Sequence, residues 1–482
     1  MPKEILVNIE SREKRVAVLN NGRLEEFYIE RPTDKTIVGN IYKGKIEAVL
    51  TSINGAFVDI GLVKKGFLYL SEIESAFEGL ETEKVAVKPK EVKKGQEILV
   101  QVVKESFGTK GPRLSCHIGI PGRYLVLMPQ DAHLGISRRI EDDGERKRLR
   151  QALNEAKLPP ELGFIVRTAA CGRSKQELQR DAFFLLKLWK RLEKSAKIKS
   201  APSAIYEEYD LTLRAIRDSF TEDVNKLIID SKPEYYRVKH FMKTFLSYLS
   251  NKVELYRGQD LFGEKDAESQ INKIFETKVY LKSKAYIVIE PTEGLVVIDV
   301  NSGGFRKNIR QEEAAFKVNC EVAVEIAHQI MLRDLGGIIV IDFIDMEREG
   351  HRREVLNVLE KALSNDRAKY DIAGISKFGV VEMTRERIHN TVHALSYQNC
   401  PYCQGRGKVK SPLTMSIYAL KELKRYLVKN PAAKEINFYL NPVVVDEILK
   451  DKSNLRQLEQ RFRLKINLVS NPTLHIEDLK IS

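Results

Sequence analysis

Cysteine is scarce in this chain, with five residues in 482, at Cys116, Cys171, Cys320, Cys400 and Cys403. An odd and scattered set of that size cannot form a disulfide framework, so a reducing compartment is expected. No apolar run approaches the ~18 residues that cross a bilayer, which argues against a membrane span. The opening MPKEILVNIE lacks a basic stretch followed by an apolar one, so neither a secretory signal nor an anchor is expected and the chain reads as cytoplasmic. Internal repeats are missing as well.

Positive charge is in surplus. Lysine and arginine total 80 against 67 acidic residues, a net charge of +13, which attracts polyanions and makes nucleic acid the first partner to consider. With 43% hydrophobic and 30% charged residues the composition is that of a globular protein, and at ~150 residues per domain the length implies about three domains.

The chain opens with short apolar bursts (EILVNI, KRVAVL, LEEFYIE) around an Asn-Asn-Gly turn, which predicts an antiparallel meander. Between about Gly39 and His117, five strand-like runs with glycine punctuation suit a small barrel of the OB type, and equally an ordinary β-sandwich. A helix (EDDGERKRLRQALNEA), a strand (GFIVRTAA) and a long amphipathic helix follow, the last placing Lys187, Lys190, Arg191, Lys194 and Lys197 close together, as on a solvated face. APSAIYEE reads as a linker. From about Lys282 to Val381, strands and helices alternate in an α/β pattern around a buried sheet, and a smaller α/β segment runs from about Leu413 to Ser482.

Two apolar strands in the α/β segment end in carboxylates. GLVVIDVNSGG places Asp299 and Asn301 at one exit, and GGIIVIDFIDM places Asp342 and Asp345 at another. Ligands of α/β sheets bind at the carboxyl ends of strands, and an intervening helix can return the second strand beside the first. Two carboxylates with few histidines nearby suit a hard cation such as Mg²⁺, although an Asp after a strand is also a common capping or turn residue. Asp345 either shares the side of Asp342 or begins a turn.

Cys400-Pro-Tyr-Cys403, followed by Gly405 and Gly407, resembles half of a zinc ribbon. With the other cysteines isolated, the simplest completion is the same pair from a second subunit, a Zn²⁺-linked homodimer. A redox CxxC is the rival, but it normally opens a helix, which the two glycines disfavour. On the barrel, Phe57 and Phe67 with Lys104 and Lys110 could stack bases and hold phosphates, or the rings could be core. Arg167 and Thr168, with Arg138 and Arg139, could hold a terminal phosphate, or the arginines could pair with surface carboxylates.

Together these residues resemble the ribonuclease E/G family of bacterial endoribonucleases, and within it the compact G type. The likeness runs through IVGNIYKGKI, GAFVDIG, GFL, GISRRI, IVRTA, IDVNSGG, LRDLGGIIVIDFIDM, VEMTRER and CPYCQGRGKV, in the family's order. It implies a metal-dependent endonuclease that cuts single-stranded, A/U-rich RNA to 5′-phosphate and 3′-hydroxyl products, is stimulated by a 5′-monophosphate, and acts on rRNA and tRNA precursors and in mRNA decay.

By position, the resemblance implies that Asp299 and Asp342 bind the catalytic Mg²⁺ and that Asn301 orients the site. Phe57, Phe67, Lys104 and Lys110 would grip RNA, and Gly122, Val126, Arg138, Arg167 and Thr168 would form a 5′-phosphate pocket. Cys400 and Cys403 would carry the zinc link of a homodimer, with a dimer of dimers as the family's further step. The implied fold class is α/β multidomain. An RNase H-like subdomain (1–36 and 213–274) is interrupted by an S1-type OB-fold barrel (37–118) and a 5′-sensor (119–212). A deoxyribonuclease I-like α/β domain (275–397), a zinc link (398–411) and a small α/β domain (412–482) follow. No C-terminal degradosome scaffold is expected. The competing function is a non-cleaving RNA-binding assembly factor for ribosome maturation.

Overall fold

The computed structural model describes residues 2–482 except 35, 73–91, 107–109, 246, 293, 304–310, 365, 388–395, 399 and 432–433. The chain divides into two compact units, Met1–Val392 and His393–Ser482.

The first sheet of the larger unit is assembled from distant parts of the sequence. Lys3–Ile9, Lys14–Asn20 and Arg23–Glu30 form the meander, and Lys3–Ile9 also pairs in parallel with Val224–Ile229, which pairs with Val253–Leu255. Asn21 and Gly22 both take positive φ, 52° and 78°, as a two-residue turn of mirror-image type requires. Both faces of this sheet are covered: Ile5, Val7, Val16 and Val18 pack against Leu213, Ile216 and Phe241, while Leu6, Ala17 and Leu19 pack against Phe262 and Ile271. Burial on both faces explains why the strands are continuously apolar rather than alternating.

The second sheet settles the choice between barrel and sandwich. Ile41–Leu50, Gly55–Asp59, Gly66–Tyr69, Arg113–Ser115 and Glu97–Lys104 pair in that order, and Glu97–Lys104 returns to pair with Ile41–Leu50, closing a five-stranded barrel. The stretch read as a linker is in part a strand, Ser203–Tyr206, which pairs antiparallel with Ile41–Leu50 on the barrel's outside. Its buried or half-buried apolar residues, Ala204, Ile205 and Tyr206, were too few to stand out against the flanking Pro and Glu residues.

A four-stranded sheet (Leu134–Ile136, Gly163–Val166, Leu125–Met128, Ile120–Pro121) packs against the helices Asp143–Asn154 and Lys175–Ile198. The longer helix begins in a capping box, in which Ser174 and Glu177 each accept from the other's backbone N–H. Its five basic residues at 187, 190, 191, 194 and 197 are all exposed.

The α/β segment forms a six-stranded sheet in the order Lys278–Tyr280, Tyr286–Pro291, Leu295–Asn301, Gly337–Asp342, Val381–Arg385, Tyr370–Ile375. One face holds Ile287, Ile298, Ile341 and Met383 and is covered by the helices Gln311–Leu332 and Glu349–Leu363. On the other face Ile338, Asp299 and Asp342 are exposed. That one-sided cover leaves the strand ends accessible.

The smaller unit has a three-stranded sheet (Lys465–Ser470, Glu435–Leu440, Leu479–Ile481) and the helices Pro412–Lys429, Pro442–Lys450 and Ser453–Phe462 around Phe438, Leu423 and Val444.

Candidate active site and nucleic-acid interface

Asp299 and Asp342 are register partners on adjacent parallel strands. Neighbouring strands lie ~4.8 Å apart and partnered residues face the same way, so the two carboxylates share one side of the sheet. Asn301, two residues beyond Asp299 and therefore on the same side, donates from its side-chain amide to Asp299 Oδ2 at 2.7 Å. Partial burial and the negative charges of Asp299 and Asp345 raise the Asp342 carboxyl above the usual range. Asp345 is exposed in the turn after the strand rather than on it.

That turn is clamped from the covering helix. Asn319, fully buried, pairs with Ile344 through both halves of its amide, donating to the carbonyl at 2.7 Å and accepting from the N–H at 3.1 Å. Glu312 accepts from the N–H groups of Glu347 and Arg348 at 2.9 and 3.1 Å, and its carboxylate lies 2.9 Å from His351 Nδ1. Sequence reasoning missed both residues, although an Asn in the apolar run AAFKVNCEVAV was a visible signal, since a buried amide needs a partner. Among the described residues no group of three or more His, Cys, Asp or Glu could hold a metal, so the carboxylate pair and Asn301 stand without a third acidic ligand.

On the barrel, Phe57 stands opposite Phe67, with ring centroids 5.9 Å apart and edge to face. Their neighbours Ala56, Val58 and Leu68 fill the interior, so period two places both rings, half-buried, on the outside. A Cβ on Gly55 would collide with the Phe67 ring, so this glycine lets the ring lie down on the strand. Tyr69 extends the aromatic row, 5.0 Å from Phe67, with the Arg113 guanidinium 4.9 Å from its own ring. Alternation from Phe67 could have found Tyr69. Lys104, exposed, is the register partner of Arg113, and Lys110 is exposed nearby in the chain.

Arg167 is half-buried and already engaged, donating to the Gly122 carbonyl at 2.7 Å and to Asp218 at 2.6 Å. Burial works to raise the Asp218 carboxyl, yet Arg217 and Arg167 hold it well below the ordinary range. Thr168 is exposed, its hydroxyl 3.3 Å from that of Ser137. Arg138 is exposed, and Val126 pairs with Ile165 on the adjoining strands. Arg139 serves otherwise, donating to the carbonyls of Arg367 and Ala368 at 2.7 and 3.2 Å. Asp181, which the sequence did not single out, organises the loop from below: its buried carboxylate accepts from the N–H groups of Arg123, Tyr124 and Leu125. A Cβ on Gly122 would fall 2.7 Å from that carboxylate, so glycine is required there.

In the smaller unit, the backbone N–H groups of Cys403 and Tyr402 face the Cys400 sulfur and hold its thiol below the usual value. Gly407 N–H donates to Cys403 Sγ at 3.2 Å. Gln404 and Gly405 have φ of 53° and 83°, which no helix accommodates, and the next helix starts only at Pro412. This is a turn that sets backbone N–H donors against both sulfurs, without the helix start of a redox CxxC.

An oligonucleotide-type barrel with an outward aromatic row, in one unit with a sheet that aligns two aspartates, defines a protein that handles RNA or single-stranded DNA. Comparison with known proteins narrows this. Residues 119–388 match the Ribonuclease E/G family, residues 35–117 an S1 RNA binding domain, and residues 399–482 the RNase E/G thioredoxin-like domain. The chain is 42% identical to ribonuclease G of Haemophilus influenzae over 458 residues, covering 94% of this chain and 93% of that protein. It is 39% identical to ribonuclease G of Escherichia coli strain K12 over 460 residues, 94% of each. With ribonuclease E of Haemophilus influenzae the identity is 38% over 98% of this chain and 51% of that one. The chain belongs to the ribonuclease E/G family. Among the described residues no helix is long and apolar enough to cross a membrane.

Proposed function

We propose that this chain is a Mg²⁺-dependent endoribonuclease that cuts single-stranded, A/U-rich RNA to 5′-phosphate and 3′-hydroxyl products. Its substrates are cytoplasmic rRNA and tRNA precursors and mRNA, and a 5′-monophosphate stimulates it. The observation that carries this reading is the register pairing of Asp299 with Asp342. An all-oxygen pair in which partial burial and then like charge raise the Asp342 carboxyl fits a hard divalent cation, which would relieve the repulsion.

Bound there, Mg²⁺ would polarise a phosphoryl oxygen and lower the pKa of a coordinated water. Asn301 fixes the Asp299 carboxylate with one N–H and keeps its amide oxygen and second N–H for the substrate side. The clamp from Asn319 and Glu312 fixes the turn that follows Asp342. The barrel holds RNA through Phe57, Phe67, Lys104 and Lys110, and the 5′-phosphate is read by Arg167, Thr168 and Arg138 with the backbone at Gly122 and Val126.

The sheet that joins the meander to Val224–Ile229 is the RNase H-like part of this reading, and the six-stranded sheet is its deoxyribonuclease I-like catalytic part. Cys400 and Cys403, both facing N–H donors, fit half of a tetrahedral Zn²⁺ site completed by a second copy of the chain, which makes a homodimer the minimal assembly. The testing experiment supplies Mg²⁺ and a 5′-monophosphorylated oligoribonucleotide to the wild type and to Asp299→Asn. Internal cleavage by the wild type alone supports the reading.

A further inference from the structure

The sheet that carries the aspartates also carries an aromatic surface. Tyr286 is the register partner of Asn301, and Tyr280 is the register partner of Tyr286. One row across the strands therefore reads Tyr280, Tyr286, Asn301, and the next reads Lys278, Val288, Asp299, Asp342. All these side chains stand on the face that the helices leave open. The two tyrosine rings are 5.6 Å apart at 45°, and Lys278 Nζ lies 5.5 Å from the Tyr286 centroid. Tyr280 is 70% exposed. Apolar packing does not account for a ring left so open.

We propose that Tyr286 and Tyr280, with Lys278, form a stacking platform for the nucleobases of single-stranded RNA next to the bond that is cut. This rests on Asp299 and Asp342 being the cleavage site. At ~4.8 Å per strand, Tyr286 stands one strand from Asn301 and Tyr280 two strands away, within reach of the bases beside a phosphate held at the aspartates. A tyrosine face accepts any base, so the platform adds affinity and alignment without reading sequence. Lys278 supplies a cation for the backbone between the stacked bases. Further along the same face, Glu290 and Glu382, the register partners of Val297 and Val340, repel phosphate, which directs the strand over the tyrosines. This surface is separate from the Phe57 and Phe67 row on the barrel.

The test uses the full chain and an RNA whose cleavage position has been mapped with the wild type, carrying 2-aminopurine on either side of that position. In Asp299→Asn, binding is expected to quench the fluorophore by stacking. Adding Tyr286→Ala or Tyr280→Ala is expected to remove most of the quenching, and Tyr286→Phe to retain it. In the wild-type background, Tyr286→Ala is expected to raise KM about tenfold with kcat little changed, and Phe to restore it. Quenching and KM unchanged in both alanine variants, with circular dichroism showing folded protein, would overturn the platform. Continued cleavage by Asp299→Asn would instead overturn the assignment of the aspartates, whereas the quenching still reports on the tyrosines.

Discussion

Asp218 holds one arm of the Arg167 guanidinium at 2.6 Å while the carbonyl of Gly122 holds the other at 2.7 Å. The arginine is thus fixed before any phosphate arrives. A preset guanidinium loses little freedom on binding an anion, and its planar fork suits a phosphate better than an ammonium does. Arg167→Lys is expected to reduce the preference for 5′-monophosphorylated over 5′-hydroxyl RNA by about tenfold, about 1.4 kcal/mol, with cleavage of the 5′-hydroxyl form unchanged. The ratio of kcat/KM for the two RNAs is the readout. An unaltered ratio would remove Arg167 from the pocket.

The same pair sets a pH dependence. Asp218 has its folded pKa depressed, chiefly by Arg217 and Arg167 acting against burial. Such a group stabilises the fold fully above its unfolded value of ~3.9, and that stabilisation is lost as pH falls from there through the folded value. Asp218→Asn is expected to cost roughly 3 kcal/mol at neutral pH, because the partly buried guanidiniums lose their counter-ion. The gap from wild type should narrow in acid, as urea denaturation at pH 7 and pH 3 would show. A gap that stays constant would contradict the ion-pair assignment.

Asn319 closes both backbone groups of Ile344, and no other side chain could do so without an amide of the same length. Asn319→Leu leaves a buried N–H and carbonyl unpaired and is expected to cost about 2 kcal/mol in stability. Because the turn directly follows Asp342, a raised Mg²⁺ requirement for cleavage should accompany the lost stability. A Mg²⁺ titration of initial rate checks this. A stability loss with an unchanged Mg²⁺ midpoint would confine Asn319 to a structural role.

On the barrel, Phe67→Ala is expected to weaken RNA binding by ~1–3 kcal/mol without altering the salt slope. Lys110→Ala should lower the slope of log affinity against log salt by about 0.7 to 1, as the loss of one phosphate contact requires. Fluorescence anisotropy at several salt concentrations separates the two. Equal slopes for Lys110→Ala and wild type would exclude a phosphate contact at Lys110.

Cys400→Ser, or zinc chelation, is expected to halve the solution mass measured by light scattering if two copies share one metal. A mass that does not change would exclude the shared site.

Local pattern was enough to read much of this architecture. The Asn21-Gly22 turn and the apolar runs that end in Asp299 and Asp342 are encoded within a few residues of where they act. What could not be read depends on pairing between distant segments. Nothing near Lys3–Ile9 announces Val224–Ile229 as its neighbour, and the short Ser203–Tyr206 strand exists because the barrel offers it an edge. For the candidate site, the motifs IDVN and IDFID gave both aspartates. The clamp by Asn319 and the salt bridge from Asp218 to Arg167 connect residues 25 and 51 positions apart, beyond any local pattern. Arg139 illustrates the limit, since its sequence neighbours suggest a phosphate ligand and its geometry shows a tie to the carbonyls of Arg367 and Ala368.

The most direct measurement is cleavage of a 5′-monophosphorylated, A/U-rich single-stranded RNA with Mg²⁺ by the wild type, Asp299→Asn and Asp342→Asn, with RNA affinity measured for each. Internal cutting by the wild type, at least a hundredfold slower in both variants at nearly unchanged affinity, is the predicted result. Cutting at the wild-type rate by either variant would contradict the role of the aspartate pair. Tight binding with no cutting by any of the three would make the chain an RNA-binding assembly factor instead.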